Sequence, residues 1–290
     1  MSRTWFITGT STGFGRELAV AALDAGNKVV ATARKPEVLS DLTAKYGEKV
    51  LAVRLDITSQ ADIDAAVKSA TDTFGQIDVL VNNAGYGVFG GFEEITEAQL
   101  RAQYETNVFG TVAVTRAVLP QMRARKSGHI LNVSSTLGLV SIPGTSAYAS
   151  SKFAVEGISE ALAAEVAPLG IKVIIVEPGA FKTAFGATGV PKGDNPVADY
   201  AATAGAVVAG FEDMVANGSA PGNPVKAAQA MLAIVDDPNP ALRLMLGSDA
   251  LGMVTQKLDG LKANLERYAH ITNSTNFDAE FPLEDSGITS

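Results

Sequence analysis

The feature that most constrains this chain is a repeated alternation of short β-rich runs with longer helical patterns. Trp5-Phe6-Ile7 is the first run; Leu18, Ala19, Ala22 and Leu23 then recur at helical spacing, and Gly26 sits just past the helix end. Residues 29–32 and 50–57 are predicted as the second and third strands. Ser59 is placed to cap a helix with the apolar face Ile63, Val67, Ala70 and Phe74, which Gly75 ends. Residues 78–81 are the fourth strand, and Thr96 to Gln99 has the capping-box pattern of a long helix expected to stop near Pro120. Residues 130–133 are a strand, 146–166 a helix and 172–176 a strand. Asn223-Pro224 opens a helix running through Val235, and residues 242–246 form the seventh strand. This alternation predicts an α/β fold, a doubly wound (Rossmann), mostly parallel seven-stranded sheet with helices on both faces, in one domain. Nearly uninterrupted apolar strands fit a sheet buried on both sides. Two segments read as additions. Residues 185–223, rich in Gly, Ala and Pro, are a candidate lid, and residues 248–290 are an extension in which an amphipathic helix over 251–268 precedes a polar tail expected to be disordered.

Composition narrows the function. With 290 residues, 47% hydrophobic and 19% charged, the chain has the material for a large core and lacks the profile of a disordered protein. The formal charge of −8 disfavours nucleic acid and anionic membranes, which bind clustered Lys and Arg. The absence of cysteine excludes thiolate catalysis and Cys-based zinc sites, and only His129 and His270 remain as imidazoles, so no metal is expected. The apolar run at residues 5–7 is too short for a signal-peptide core, and no stretch approaches the ~20 residues of a membrane helix. The chain is read as soluble and cytoplasmic.

The turn Thr8-Gly9-Thr10-Ser11-Thr12-Gly13-Phe14-Gly15 joins the first strand to the first helix. Glycines there let the backbone approach a pyrophosphate closely, and the helix N-terminus adds unpaired N–H groups and partial positive charge. The spacing is G-x-x-x-G-x-G, not the general G-x-G-x-x-G, and close strand–helix packing is the plainer explanation of three such glycines. The second strand ends Ala31-Thr32-Ala33-Arg34-Lys35. An NAD-selective site carries a carboxylate there; Arg34, with the Ser11 hydroxyl, instead suits a 2′-phosphate. NADP(H) is therefore the expected cofactor, with NAD(H) possible, unless Arg34 and Lys35 are merely solvated charges.

Tyr148 and Lys152 lie four residues apart in a helical pattern and so share one face. A neighbouring ammonium favours the phenolate, which would make the pair a proton-transfer unit near neutral pH. A packing tyrosine beside a surface lysine is the alternative. Ser134-Ser135 ends the fifth strand, where doubly wound folds gather catalytic groups. Asn107 sits inside a helical pattern that gives asparagine no propensity advantage, so a cap or kink is its structural alternative.

Together these residues resemble the short-chain dehydrogenase/reductase family, shorter oxidoreductase branch, over roughly residues 4–183. The motifs occur in order: the 8–15 turn, Asp56, Asn82-Asn83-Ala84-Gly85, Asn107, Ser134-Ser135, Tyr148 with Lys152, and Pro178-Gly179 leading to Thr183. The resemblance implies Tyr148 as general acid/base, Lys152 as the group that lowers its pKa and holds the nicotinamide ribose, Ser135 as the donor to the substrate oxygen, and Asn107 as the holder of a water. It implies cofactor contacts at Gly9, Ser11, Thr12, Gly13, Phe14, Gly15, Arg34, Asp56, Asn83, Ala84, Gly85, Pro178, Gly179 and Thr183. Thr12 departs from the basic residue of some NADP-dependent members. The resemblance also implies a homodimer or homotetramer.

The implied activity is NAD(P)-dependent hydride transfer between nicotinamide and a carbonyl or secondary alcohol. Loops 86–89, 136–142 and 180–211 are apolar and carry no Arg placed to clamp a carboxylate, which favours an apolar alcohol or ketone and resembles the 17β-hydroxysteroid and retinol dehydrogenase-like subgroup. The same loops would equally suit packing on the sheet or against a subunit. A non-catalytic NADP(H)-binding regulatory protein on this fold is the alternative to an enzyme.

Overall fold

The computed structural model describes residues 2–185 and 191–277. In chain order the elements are β1 (Thr4–Ile7), α1 (Gly13–Asp24), β2 (Lys28–Ala33), α2 (Ser40–Tyr46), β3 (Val50–Arg54), α3 (Gln60–Phe74), β4 (Val79–Asn82), α4 (Glu97–Tyr104), α5 (Thr111–Arg125), β5 (Gly128–Val133), α6 (Ser146–Val166), β6 (Ile171–Pro178), α7 (Ala206–Ala216), α8 (Pro224–Asp236), β7 (Arg243–Leu246) and α9 (Ser248–Ser274). The strands form one sheet in the order β3-β2-β1-β4-β5-β6-β7, every pair parallel. From β1 the chain winds outward through β2 and β3, then returns to β4 and winds the other way. The switch point lies between β1 and β4, where the outgoing connections part and leave a crevice at the carboxyl ends of the strands.

The period of two within each strand divides the core. Trp5 and Ile7 join Leu18 and Leu23 of α1 and Met231 and Val235 of α8 on one face. Phe6 points the other way, with Ile63 of α3, Val114, Val118 and Met122 of α5, and Val166 of α6. All of these side chains are buried, as a parallel sheet covered on both sides requires.

Local chemistry sets several boundaries. Ser59 accepts from the Asp62 N–H and Gly75 closes α3 at φ +85°. Thr96 and Gln99 cap α4 reciprocally. The Asn223 side chain accepts from the Val225 and Lys226 amides above Pro224.

Elsewhere the structure departs from expectation. The third strand ends at Arg54, not at 57. Residues 40–46 form α2, which no strong apolar period announced. The helix expected to stop near Pro120 is two helices, α4 and α5, joined by a wide π-type turn at Glu105–Gly110, and α5 continues to Arg125. Pro120 lies on the exposed face of α5, where water can satisfy the carbonyl its missing N–H leaves free. Residues 206–216 of the expected lid are helical, and α9 is longer than expected at both ends. Residues 186–190 of that lid and 278–290 of the expected tail lie outside the described residues.

Candidate active site

A continuous cleft with a cavity volume of about 1110 Å³ runs across the carboxyl ends of the central strands. Of the residues expected at the cofactor site, Gly9, Ser11, Thr12, Gly13, Phe14, Arg34, Asp56, Asn83, Ala84, Gly85, Pro178, Gly179 and Thr183 line it, together with Ser135, Tyr148 and Lys152. Two expected residues do not. Gly15 is buried behind the turn, where an added Cβ would collide with the Gly9 carbonyl oxygen. Asn107 is also buried, behind Gly85.

At one end of the cleft the turn after β1 is bare backbone. Gly9 and Gly13 take φ of +71° and +60°, a region that glycine enters without strain. Thr12 stands at the N-cap of α1 and makes no side-chain cap hydrogen bond, so the opening amides of the helix are left for another acceptor. Asn83 fastens the floor by donating to the carbonyls of Thr8 and Gly9 at 2.9 and 3.0 Å, and the Thr8 hydroxyl accepts from the amides of Asn83 and Ala84. Asp56 accepts from the Thr58 amide and hydroxyl, which hold its carboxyl below the ordinary value, with Arg34 and Arg54 adding to the effect. Bare turn, open helix end and guanidinium at the β2 end suit a dinucleotide phosphate.

At the other end α6 presents Tyr148 and Lys152 on one face, both buried. The Lys152 ammonium donates to the Val133 carbonyl at 2.8 Å and lies 5.7 Å from the centre of the Tyr148 ring. Burial pulls the Lys152 pKa down to about 8, against the opposing charge of Glu156. Burial pushes Tyr148 up to about 12, with a hydrogen bond from Ser135 acting in the opposite sense. The expected acidification of Tyr148 by Lys152 does not show in this arrangement, where burial sets the direction of the shift. Ser134 is buried beside Glu156, and Ser135 is the member of the pair that acts on the phenol.

Asn107 occupies the π-type turn. Its Oδ1 accepts from the Tyr86 amide, and its Nδ2 donates to the Tyr86 carbonyl and the Ser151 hydroxyl. Sequence reasoning missed Gln103, fully buried one helical turn earlier. Its Oε1 accepts from the Val88 amide at 2.6 Å and its Nε2 donates to Ser151. The i, i+4 repeat of two amide side chains, Gln103 and Asn107, was the available signal. Asp249 was missed as well: its carboxylate accepts from the Ala180 amide and fixes the turn after β6 from the start of α9.

Beyond Tyr148 the cleft becomes aromatic. Phe89 and Phe185 sit 5.5 and 5.7 Å from its ring, and Phe211 of α7 sits 5.4 Å from Phe89. A phosphate-cradling turn at one end, a buried phenol–ammonium pair at the other and an apolar chamber beyond, all at the switch point of a doubly wound sheet, define an oxidoreductase of the dinucleotide-binding class.

Comparison with known proteins gives the family. Residues 3–192 match the short chain dehydrogenase model. The chain is 42% identical over 275 residues to oxidoreductase BOA17 of Botryotinia fuckeliana, covering 94% of this chain and 98% of that one. It is 37% identical over 264 residues to the 3-ketodihydrosphingosine reductase of Bacteroides thetaiotaomicron, covering 91% and 94%. Among solved structures, a short-chain dehydrogenase from Streptomyces avermitilis superposes with a TM-score of 0.87 at 43% identity, covering 95% and 98%. A Burkholderia cenocepacia short chain dehydrogenase in complex with NADP superposes with a TM-score of 0.71 at 28% identity, covering 92% and 97%. The chain belongs to the short-chain dehydrogenase family and is an oxidoreductase.

Proposed function

We propose that this chain is an NADP(H)-preferring dehydrogenase/reductase that interconverts a bulky apolar ketone and its secondary alcohol. The observation that carries the reading is the continuity of one cleft from the glycine turn, past Tyr148 and Lys152, into the chamber of Phe89, Phe185 and Phe211. The nicotinamide group supplies or accepts the hydride. The glycine turn and the N-terminus of α1 hold the phosphates, Arg34 and Ser11 grip a 2′-phosphate, and Pro178, Gly179 and Thr183 line the nicotinamide end. Tyr148 gives its proton to the carbonyl oxygen in reduction and takes it back in oxidation. Ser135 donates a hydrogen bond to the same oxygen and fixes its position. Lys152, tied to the Val133 carbonyl, stands where it supports the phenolate that reduction leaves behind, and Asn107 holds the adjacent Tyr86 backbone.

The chamber walls offer apolar contact to the rest of the substrate and exclude water. Segment 185–223, which contributes Phe185 and Phe211, acts as the lid. The reading includes a cytoplasmic protein; no helix among the described residues is long and apolar enough to cross a membrane. It also includes a homo-oligomer, supported by Phe109, Phe153 and Ile158 exposed on the helices that carry Asn107 and Tyr148. A panel of ketones and alcohols with each cofactor, followed at the nicotinamide absorbance, tests the proposal. The expected result is turnover of polycyclic or long-chain ketones with an at least tenfold lower KM for NADPH than for NADH. Preference for small charged substrates, or for NADH, overturns it.

A further inference from the structure

Helix α9 leaves the body almost as soon as it begins. Only Ala250 and Val254 of its first two turns are buried, and residues 255–270 are exposed on every side. A helical segment of that length is marginal in water by itself. Its apolar residues are not scattered. Leu251, Val254, Leu258, Leu261, Leu265 and Tyr268 recur at alternating steps of three and four, and five of the six are exposed, Leu265 by 72% and Leu251 by 62%. That spacing is the a/d seam of a coiled coil, a surface shaped for another helix.

We propose that the partner is α9 of a second copy of this chain, packed antiparallel. The six residues are self-complementary under one register. Leu258 meets Leu261 of the second copy, Tyr268 meets Leu251, and Leu265 comes to the level of Val254, which its own body already buries, the reciprocal contacts following by two-fold symmetry. The flanking charges select the direction. In a parallel pair, Lys257 would face Lys262 of the other helix on both edges of the seam, a like-charge contact. In the antiparallel register Lys257 faces Asn264 and Lys262 faces Thr255, and no like charges meet. The same register brings Leu265 and Tyr268 of each copy to the foot of the other's helix beside Leu251, which adds body surface to a seam that alone is short for a stable interface. This interface is separate from the Phe109, Phe153 and Ile158 face and does not depend on the reaction assigned to the cleft.

The test uses the full chain. Sedimentation equilibrium of Leu258→Glu/Leu265→Glu is expected to show half the wild-type mass, with the near-UV circular dichroism of the body, where Trp5 is buried, and turnover retained, because both positions are exposed. An unchanged mass overturns the proposal. The natural absence of cysteine permits a second measurement. Mixed Leu251→Cys and Tyr268→Cys chains are expected to form a disulfide-linked dimer on mild oxidation. Leu258→Cys cross-linking to itself without that mixed product indicates a parallel pair and overturns the register. A monomeric wild type that pellets with phosphatidylcholine vesicles through these leucines makes a lipid surface the occupant and also overturns it.

Discussion

Tyr148 as it stands is a weaker acid than free tyrosine, because burial outweighs the hydrogen bond from Ser135. At neutral pH it therefore carries the proton it has to give, and burial is the cost against which it gives it. Tyr148→Phe keeps the ring among Phe89 and Phe185 and removes only the proton. Turnover is expected to fall by at least about 100-fold, while calorimetry shows NADPH affinity within about threefold of wild type; full activity in this variant removes the assigned role. Lys152 carries a cost of the opposite kind. Its pKa of about 8 lies below that of a free lysine, so folding weakens its hold on the proton. The penalty is complete below pH 8 and disappears as pH rises from 8 toward the ordinary lysine value. Lys152→Met is therefore expected to raise Tm by several degrees at pH 6.5 and by little at pH 9.5, with activity lost at both. Equal shifts at the two pH values would show that charge burial is not the cause. The four-residue spacing placed Tyr148 and Lys152 on one face from sequence alone. The sign of each pKa shift was not legible there, because it depends on how much protein lies over the pair.

Among the elements, the parts written in local chemistry were readable. Ser59 and Gly75, the Thr96 and Gln99 box and Asn223-Pro224 set their helix ends where the sequence put them, since each cap uses only neighbours in the chain. Pro120 misled because the Arg116 carbonyl it leaves free lies on the exposed side of α5, and which side of α5 faces water is a tertiary fact. The π-type turn was likewise invisible, though its consequence is large: it seats Asn107 against Tyr86 and Ser151. Gln103 completes that network by holding the Val88 amide in the loop that carries Phe89. Gln103→Leu leaves that buried N–H without a partner at a cost of about 1–3 kcal/mol. The expected outcome is a KM for apolar substrates raised severalfold with a smaller change in kcat, and faster hydrogen exchange at Val88. Wild-type exchange at that amide would count against the network.

At the scale of the whole molecule, a parallel, doubly wound sheet followed from strand–helix alternation, but its strand order and the contacts that lock its β6–β7 edge did not. Glu177 of β6 is fully buried, Glu156 of α6 nearly so, and Arg243 of β7 spans them with Nε 3.1 Å from Glu177 and Nη2 3.4 Å from Glu156. These residues are remote in sequence, and nothing local marks them as partners. Burial and the neighbouring carboxylate raise Glu177 to about 7, and burial raises Glu156 as well. A carboxyl whose folded pKa is raised contributes stability below its unfolded value and loses it as pH climbs through the folded one. The native chain should accordingly lose stability between about pH 5 and pH 8 at this edge, with Arg243 limiting the loss by neutralising the charge that appears. Arg243→Leu removes that compensation. At pH 8 it strands buried negative charge and is expected to cost about 3–5 kcal/mol. At pH 5 the protonated pair needs less of the cation and the cost is smaller. Urea unfolding of both proteins at the two pH values measures the difference directly. A variant that loses the same amount at pH 5 and pH 8 would mean that Arg243 acts through packing of its alkyl chain and not through the charge of the two acids.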